Sequence, residues 1–336
     1  MNFNKIIFLN FLMMGTLISI SSYSWLSMWM GLEINLLSII PLMSNTKNMY
    51  SSEASLKYFI TQALASTILL FSIIMILSFM EFLPQNFNEW FIMIMNSSLL
   101  TKMGAAPFHF WFPEVIEGLN WANSLIMLTW QKIAPMILMM YSLNSLFMIC
   151  LIIVTSMLVS GLMGLNQSSL RKILAYSSIN HIGWMLSTMF MNQSIWMNYF
   201  MIYFITSINI IFILNFFKIY SIQQLFVNLN QNKQMKLFFA FNFLSLGGLP
   251  PFIGFMPKWL TIQALIEKNF YFIALFMVLL TLLTLFFYLR IIFNILTLNS
   301  SNMIYPSYKT KSFLMLWINS MMLLSLIFST LFFNFF

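Results

Sequence analysis

The chain has very little charge, and little of one sign in particular. Only 7% of its 336 residues are charged, aspartate is absent, and all seven acids are glutamate. An ordinary soluble domain carries about 25% charged residues, so this sequence cannot clothe a water-exposed globule. A single cysteine, Cys150, excludes an intrachain disulfide and, set among apolar residues, reads as packing. Two histidines, His109 and His181, form no HExxH, and there is neither a cysteine cluster nor a GxGxxG turn after a strand. Chemistry at a soluble cofactor therefore has to happen elsewhere.

What is present is apolar. Hydrophobic residues make up 61% of the chain and the mean hydropathy is +0.89. A crossing of the bilayer needs about 20 apolar residues. Windows can be drawn at 3–21, 25–43, 56–80, 89–110, 122–142, 147–165, 172–191, 195–217, 237–266, 270–296 and 313–335. The expected fold is an all-α integral membrane protein with about eleven transmembrane helices.

The basic residues set its orientation, because Lys and Arg in short loops collect on the side where the chain is made. With residue 1 inside, that side holds Lys5, Lys47, Lys57, Arg171, Lys172, Lys218, Lys233, Lys236, Arg290, Lys309 and Lys311, against Lys268 alone outside. The net charge of +8 is thus a topology signal and implies no nucleic-acid partner. Phe, Ile and Asn are abundant and 31 residues are Met, which points to A+T-rich coding with an extra codon read as Met, as in animal mitochondria. The first residues show no Arg-rich amphipathic presequence, as expected of a chain made inside the organelle. That places the N-terminus in the matrix and the C-terminus in the intermembrane space.

No linker or low-complexity tail interrupts residues 1–336, so one membrane domain is expected. Within it a motif recurs. Pro107, Phe108 and Pro113 in the fourth window repeat as Pro251, Phe252 and Pro257 in the ninth, with Gly104 before the first set and Gly247 and Gly248 before the second. Proline removes a backbone donor and clashes with the preceding turn, so each window is predicted to be a broken helix. Such breaks persist in a membrane only where protein or a wet cavity surrounds them. An odd number of crossings separates the two, which predicts approximate inverted repeats, 1–145 and 147–296, followed by a final helix, 313–335.

Three lysines, Lys102, Lys132 and Lys258, fall inside windows. A lysine in mid-span costs at least about 2.5–3.5 kcal/mol. Snorkelling suits Lys268 and Lys218 near window ends, but Lys132 lies about 15 Å into its helix at 1.5 Å per residue. Glu33 is the one acid well inside a span, and pairing with Lys102 would relieve both. Glu114 and Glu117, after Pro113, are balanced between helix capping and proton entry. Ser177, Ser178, Asn180 and His181 in the seventh window, with Thr206, Ser207 and Asn209 in the eighth, offer a lateral polar path. A bonded interior histidine is the weightier reading of His181, with a relay as the alternative.

The stretches "KYFITQALAS", "LLTKMGAAPFHFWFPEV", "LTWQKIAP", "AYSSINHIGWM" and "GGLPPFIGFMPKW" resemble the antiporter-like membrane subunits of respiratory complex I, and among these the NADH dehydrogenase subunit 2 family. The resemblance covers almost the whole chain. It implies a proton channel with Glu33, Lys102, Lys132 and Lys258 as its membrane axis. It also implies membrane-arm subunits and phospholipids as partners, and FMN, iron–sulfur clusters and ubiquinone held by other subunits, with no cofactor in this chain. A charge ~8 Å away at an effective dielectric near 20 contributes about 2 kcal/mol, roughly thirtyfold in a proton equilibrium, so neighbouring charges can switch one another. Two further readings compete: a stand-alone secondary cation/proton antiporter, and a static scaffold for neighbouring subunits.

Overall fold

The computed structural model describes residues 3–45, 48–79, 85–143, 145–229 and 233–297. Among them the regular structure is helical, with one isolated bridge between Ser169 and Ser221. The window at 313–335 lies outside the described residues. The chain divides into two compact units, Met1–Ser156 and Met157–Phe336.

The first unit opens with α1 (Phe3–Ser21) and α2 (Trp25–Met43), whose boundaries coincide with the first two apolar windows. Ser24 caps α2 by accepting from the Ser27 amide. The two helices pack through their backbones. A Cβ added at Gly31 would lie 2.6 Å from the Ser19 nitrogen, and one at Gly15 would lie 2.9 Å from that of Asn35. Small residues are what permit such approach where lipid gives helices no hydrophobic reason to associate. Then come α3 (Met49–Phe79), which begins about two turns earlier than its apolar window, and α4 (Gln85–Met103), α5 (Trp111–Gly118), α6 (Trp121–Leu128) and α7 (Trp130–Tyr141). The helix α8 (Leu146–Leu165) contains the dividing point of the two units.

The crossing expected at 122–142 is present as Trp121–Tyr141, with its helix interrupted at Thr129, which has φ −118° and ψ −72°. Thr129 Oγ1 bonds back to the Leu125 carbonyl at 2.7 Å, and Pro135, inside α7, removes the donor that the Gln131 carbonyl would otherwise receive. Both features bend helices.

The second unit holds α9 (Leu170–Met189), α10 (Gln193–Phe216), α11 (Ile222–Leu229), α12 (Lys233–Gly247), α13 (Phe255–Glu267) and α14 (Tyr271–Thr297). The polar helix α9 is the innermost: every residue from Ile173 to Met189 is buried, against α10, α13 and α14. In lipid the hydroxyl- and amide-bearing helix goes inside, inverting the pattern of a soluble fold. The short α11 starts with a capping box in which Gln224 N donates to Ser221 Oγ at 3.4 Å and Gln224 Oε1 accepts from the Ser221 amide.

Seven described helical stretches are long and apolar enough to cross a membrane: Phe3–Ser21, Trp25–Met43, Met49–Ser78, Trp121–Tyr141, Leu146–Leu165, Gln193–Phe216 and Tyr271–Thr297. The remaining expected crossings within the described residues are α9 and the broken pairs α4–α5 and α12–α13, each too polar or too interrupted to qualify by length and composition. The chain is an all-α, multi-pass membrane protein.

Close approach of α1 and α2 yields a prediction. Gly31→Ala sets a methyl group against the Ser19 backbone, an overpacking cost of about 1–3 kcal/mol. Heating the detergent-solubilised protein should show earlier loss of its folded form than wild type, and unchanged heat resistance would contradict the packing described.

Candidate functional site

Both predicted breaks are present, and glycine rather than proline ends the leading helix in each. After α4, Gly104 takes φ +76°, its amide donates to the Thr101 carbonyl at 3.2 Å, and the Ala105 amide donates to the Leu100 carbonyl at 3.1 Å. After α12, Gly248 takes φ +74°, its amide donates to the Ser245 carbonyl at 3.0 Å, and the Leu249 amide donates to the Leu244 carbonyl at 3.3 Å. This pair of bonds around a left-handed residue is the Schellman termination, which glycine adopts most readily. The prolines follow, with cis Ala106–Pro107 and Pro250–Pro251 bonds, and keep the helix from resuming at once. Side chains satisfy further freed carbonyls: Trp111 Nε1 donates to Thr101 O at 3.1 Å and Thr155 Oγ1 to Ala106 O at 3.2 Å.

The three intramembrane lysines are buried, with 7% of Lys102, 1% of Lys132 and 7% of Lys258 exposed. Lys102 stands in the last turn of α4, where the negative end of the helix dipole favours a cation. Glu33, on α2, lies within Coulombic reach of Lys102 and of the Tyr58 hydroxyl. Among the described residues the two charges form no ion pair within 4.0 Å, and Glu33 Oε1 is buried and accepts no hydrogen bond. The structure thus puts the two in electrostatic contact without closing a direct bridge.

Lys132 lies one turn into α7, just past the Thr129 break, with its amine 5.2 Å from the centre of the Phe112 ring. Phe112, from α5, also packs against Gly104, whose added Cβ would sit 3.2 Å from the Phe112 Cβ. The aromatic ring therefore touches both the first break and the central lysine of the unit. Beside Lys132 runs a polar chain that sequence reasoning missed: Tyr58 Oη donates to Gln131 Oε1 at 3.4 Å, and Gln131 Nε2 donates to Asn35 Oδ1 at 2.8 Å. It joins α3, α7 and α2. Its sequence signals were Asn35 of "EINL" and Gln131 of "TWQK", polar residues inside apolar windows with no loop to explain them.

In the second unit Lys258 Nζ donates to the Gly247 carbonyl at 2.8 Å and stands 5.7 Å from the centre of the Trp184 ring. His181 Nδ1 shares a hydrogen bond of 2.9 Å with the Tyr199 hydroxyl, and its ring packs on Tyr203. Asn180 Nδ2 donates to Thr284 Oγ1 at 3.3 Å, tying α9 to α14. Ser177, Ser178, Thr206 and Ser207 bond carbonyls three or four residues back in their own helices. That is the ordinary fate of a hydroxyl in a helix.

The acids at the rim receive their structural reading. Lys57 bridges Glu53 at 3.0 Å and Glu114 at 2.9 Å, linking α3 to α5 at an exposed position; such pairs contribute about 0–1 kcal/mol. Glu53 lies in the early turns of α3. Among the described residues no group of three metal-ligating side chains occurs.

Residues 22–284 match the family model described as NADH:quinone oxidoreductase/Mrp antiporter, transmembrane. The NADH-ubiquinone oxidoreductase chain 2 of Anopheles gambiae is 54% identical over 295 residues, covering 87% of this chain and 86% of that protein. The protein of the same name from Aedes aegypti is 51% identical over 330 residues, covering 97% and 96%. A chain of respiratory complex I from Thermus thermophilus superposes with a TM-score of 0.87 over 98% of this chain and 79% of that one. At 22% identity that likeness concerns the fold.

The Gln131 chain supplies a test of the site's construction. Gln131→Leu leaves the buried Tyr58 hydroxyl and Asn35 carboxamide without their partner, at about 1–3 kcal/mol for each group stranded. Thermal inactivation should come earlier than in wild type, and adding Asn35→Leu should recover part of the loss. Strictly additive losses would contradict a connected network.

Proposed function

This chain belongs to the NADH:quinone oxidoreductase/Mrp antiporter family, as a relative of NADH-ubiquinone oxidoreductase chain 2, and on that premise we propose how its buried charges work. It is a proton-translocating membrane subunit of respiratory complex I, coupling electron transfer in other subunits to proton movement through its own helices. Its compartment is the mitochondrial inner membrane, with the N-terminus in the matrix and the C-terminus in the intermembrane space. FMN, iron–sulfur clusters and ubiquinone belong to other subunits. Its neighbours are membrane-arm subunits, antiporter-like and small, together with phospholipids.

The observation that carries the residue-level reading is the burial of three lysines beside helix breaks in a chain with so few charges. A group that must only hold helices together has cheaper solutions, since an apolar contact or a neutral hydrogen bond avoids the penalty of a charge in hydrocarbon. A lysine removed from water exchanges its proton more readily than one in solution, and is the better for it as a carrier. Glu33 and Lys102 act as a charge pair whose separation changes during turnover. Lys132 is the central proton store of its unit, reached past Phe112. Lys258 serves the exit half of the path, and His181, bonded to Tyr199, stands as a neighbour able to pass a proton. The breaks keep backbone carbonyls and amides unpaired by helix, which is the polar lining that internal water needs. The approximate inverted repeat of residues 1–145 and 147–296 within one membrane domain gives each half one broken helix.

Replacing Lys132 by Met in a homologous complex that can be manipulated, reconstituted in vesicles, tests the reading. Assembly should persist while proton uptake per NADH oxidised falls several-fold. Normal proton movement at normal assembly removes Lys132 from the path.

A further inference from the structure

The second break and Lys258 are built around one another. Lys258 is in the first turn of α13, yet its amine reaches back 11 residues to the Gly247 carbonyl at 2.8 Å. Gly247 is the last residue of α12, and its carbonyl is one of those a helix end leaves without an amide partner. There the negative end of the helix dipole points at the ammonium. The space the side chain crosses exists because residue 248 has no side chain. A Cβ there would lie 2.7 Å from Lys258 Cδ, 2.9 Å from Cε and 2.9 Å from Nζ. Those are closer than carbon and nitrogen atoms approach without displacement. On a different side the Trp184 ring, from α9, presents its face at 5.7 Å, a distance at which a desolvated ammonium is attracted. The acid nearest in sequence, Glu267, is exposed and accepts a hydrogen bond from Gln263 Nε2 at 3.2 Å. Among the described residues Lys258 forms no ion pair with any carboxylate.

We propose that the broken end of α12 is the counter-group of the Lys258 amine, a main-chain seat, and that Gly248 is the positioning residue that opens it. Gly248 then has two duties. It supplies the left-handed turn that ends α12, and it leaves the volume through which the lysine reaches the freed carbonyl. The first duty is shared with Gly104 in the other break, which has φ +76°. The second is not, because the atoms nearest an added Cβ at Gly104 belong to Phe112. A seat made of one carbonyl and an aromatic face holds the amine without a carboxylate that would bind its proton too tightly for release. This assignment rests on the proton-handling reading of Lys258 for its consequence, although not for its geometry.

The test is a double-mutant cycle in an assembled homologous complex in vesicles, reading assembly, NADH oxidation, proton uptake and the pH profile of that uptake. Gly248→Ala displaces the flexible end of Lys258 while also straining the turn. Gly248→Asn adds the same Cβ in a residue that tolerates the left-handed backbone. Each is expected to lower proton uptake to about the level of Lys258→Ala and to move its pH profile. Neither should lower uptake further when combined with Lys258→Ala. Should the glycine variants fail to assemble, restoration of assembly in the Lys258→Ala background supports the seat, since the atoms that clash are then gone. Losses that multiply in the double variant, assembly that fails equally in that background, or glycine variants that pump with the wild-type pH profile would each overturn it. Wild-type pumping by Lys258→Ala would overturn the proton-handling reading instead, while assembly of the double variants still decides the seat.

Discussion

Hydrocarbon cannot solvate a backbone. Each amide or carbonyl exposed in the membrane without a partner costs several kcal/mol, and that constraint shapes most of what distinguishes this chain from a bundle of plain apolar helices. Ending a helix in mid-membrane is tolerable only if its last carbonyls and the next helix's first amides find partners. Here the partners are local Schellman bonds at Gly104 and Gly248, an indole from Trp111, a hydroxyl from Thr155 and the amine of Lys258. The need runs both ways: freed carbonyls want cations, and buried lysines want carbonyls. The two units meet it by different routes. Lys102 belongs to the last turn of the helix that breaks, whereas Lys258 comes back from the helix that follows.

The same economy explains the remaining polar groups. Most hydroxyls of α9 and α10 donate to a carbonyl of their own helix. Bonds between side chains of different helices include Tyr58–Gln131–Asn35 in the first unit and His181–Tyr199 and Asn180–Thr284 in the second.

Much of this was legible in the sequence, for physical reasons that can be named. The boundaries of α1 and α2 coincide with the ends of apolar runs because lipid enforces hydropathy residue by residue. The paired Gly and Pro residues announced both breaks, since their backbone restrictions act locally. What escaped notice depended on subtler local chemistry or on contacts across the fold. The interruption at Thr129 arises from a threonine bonding its own helix together with Pro135 six residues later, a weaker signal than a Gly–Pro cluster. The capping box at Ser221 and Gln224 that starts α11 was present in "SIQQ" but lay in a polar stretch between two apolar windows. No periodicity could place Phe112 under Lys132, Trp184 beside Lys258, or Gly248 against the lysine side chain. Those are tertiary facts. The expectation that Glu33 and Lys102 belong together rested on charge economy, and the two lie within Coulombic reach without a closed bridge.

The central claim is that these buried charges move protons, beyond any part they play in holding helices. It is tested most directly by measuring protons translocated per electron pair in a homologous complex carrying Glu33→Gln and Lys102→Ala together. Removing both partners avoids the isolated buried charge that makes single deletions destabilising by about 3–5 kcal/mol, so the double variant should assemble and retain its folded arm. The account predicts that this assembled complex translocates fewer protons per electron pair than wild type. Full stoichiometry in the double variant, with both single variants impaired only through poor assembly, would show the pair to be structural and contradict the account.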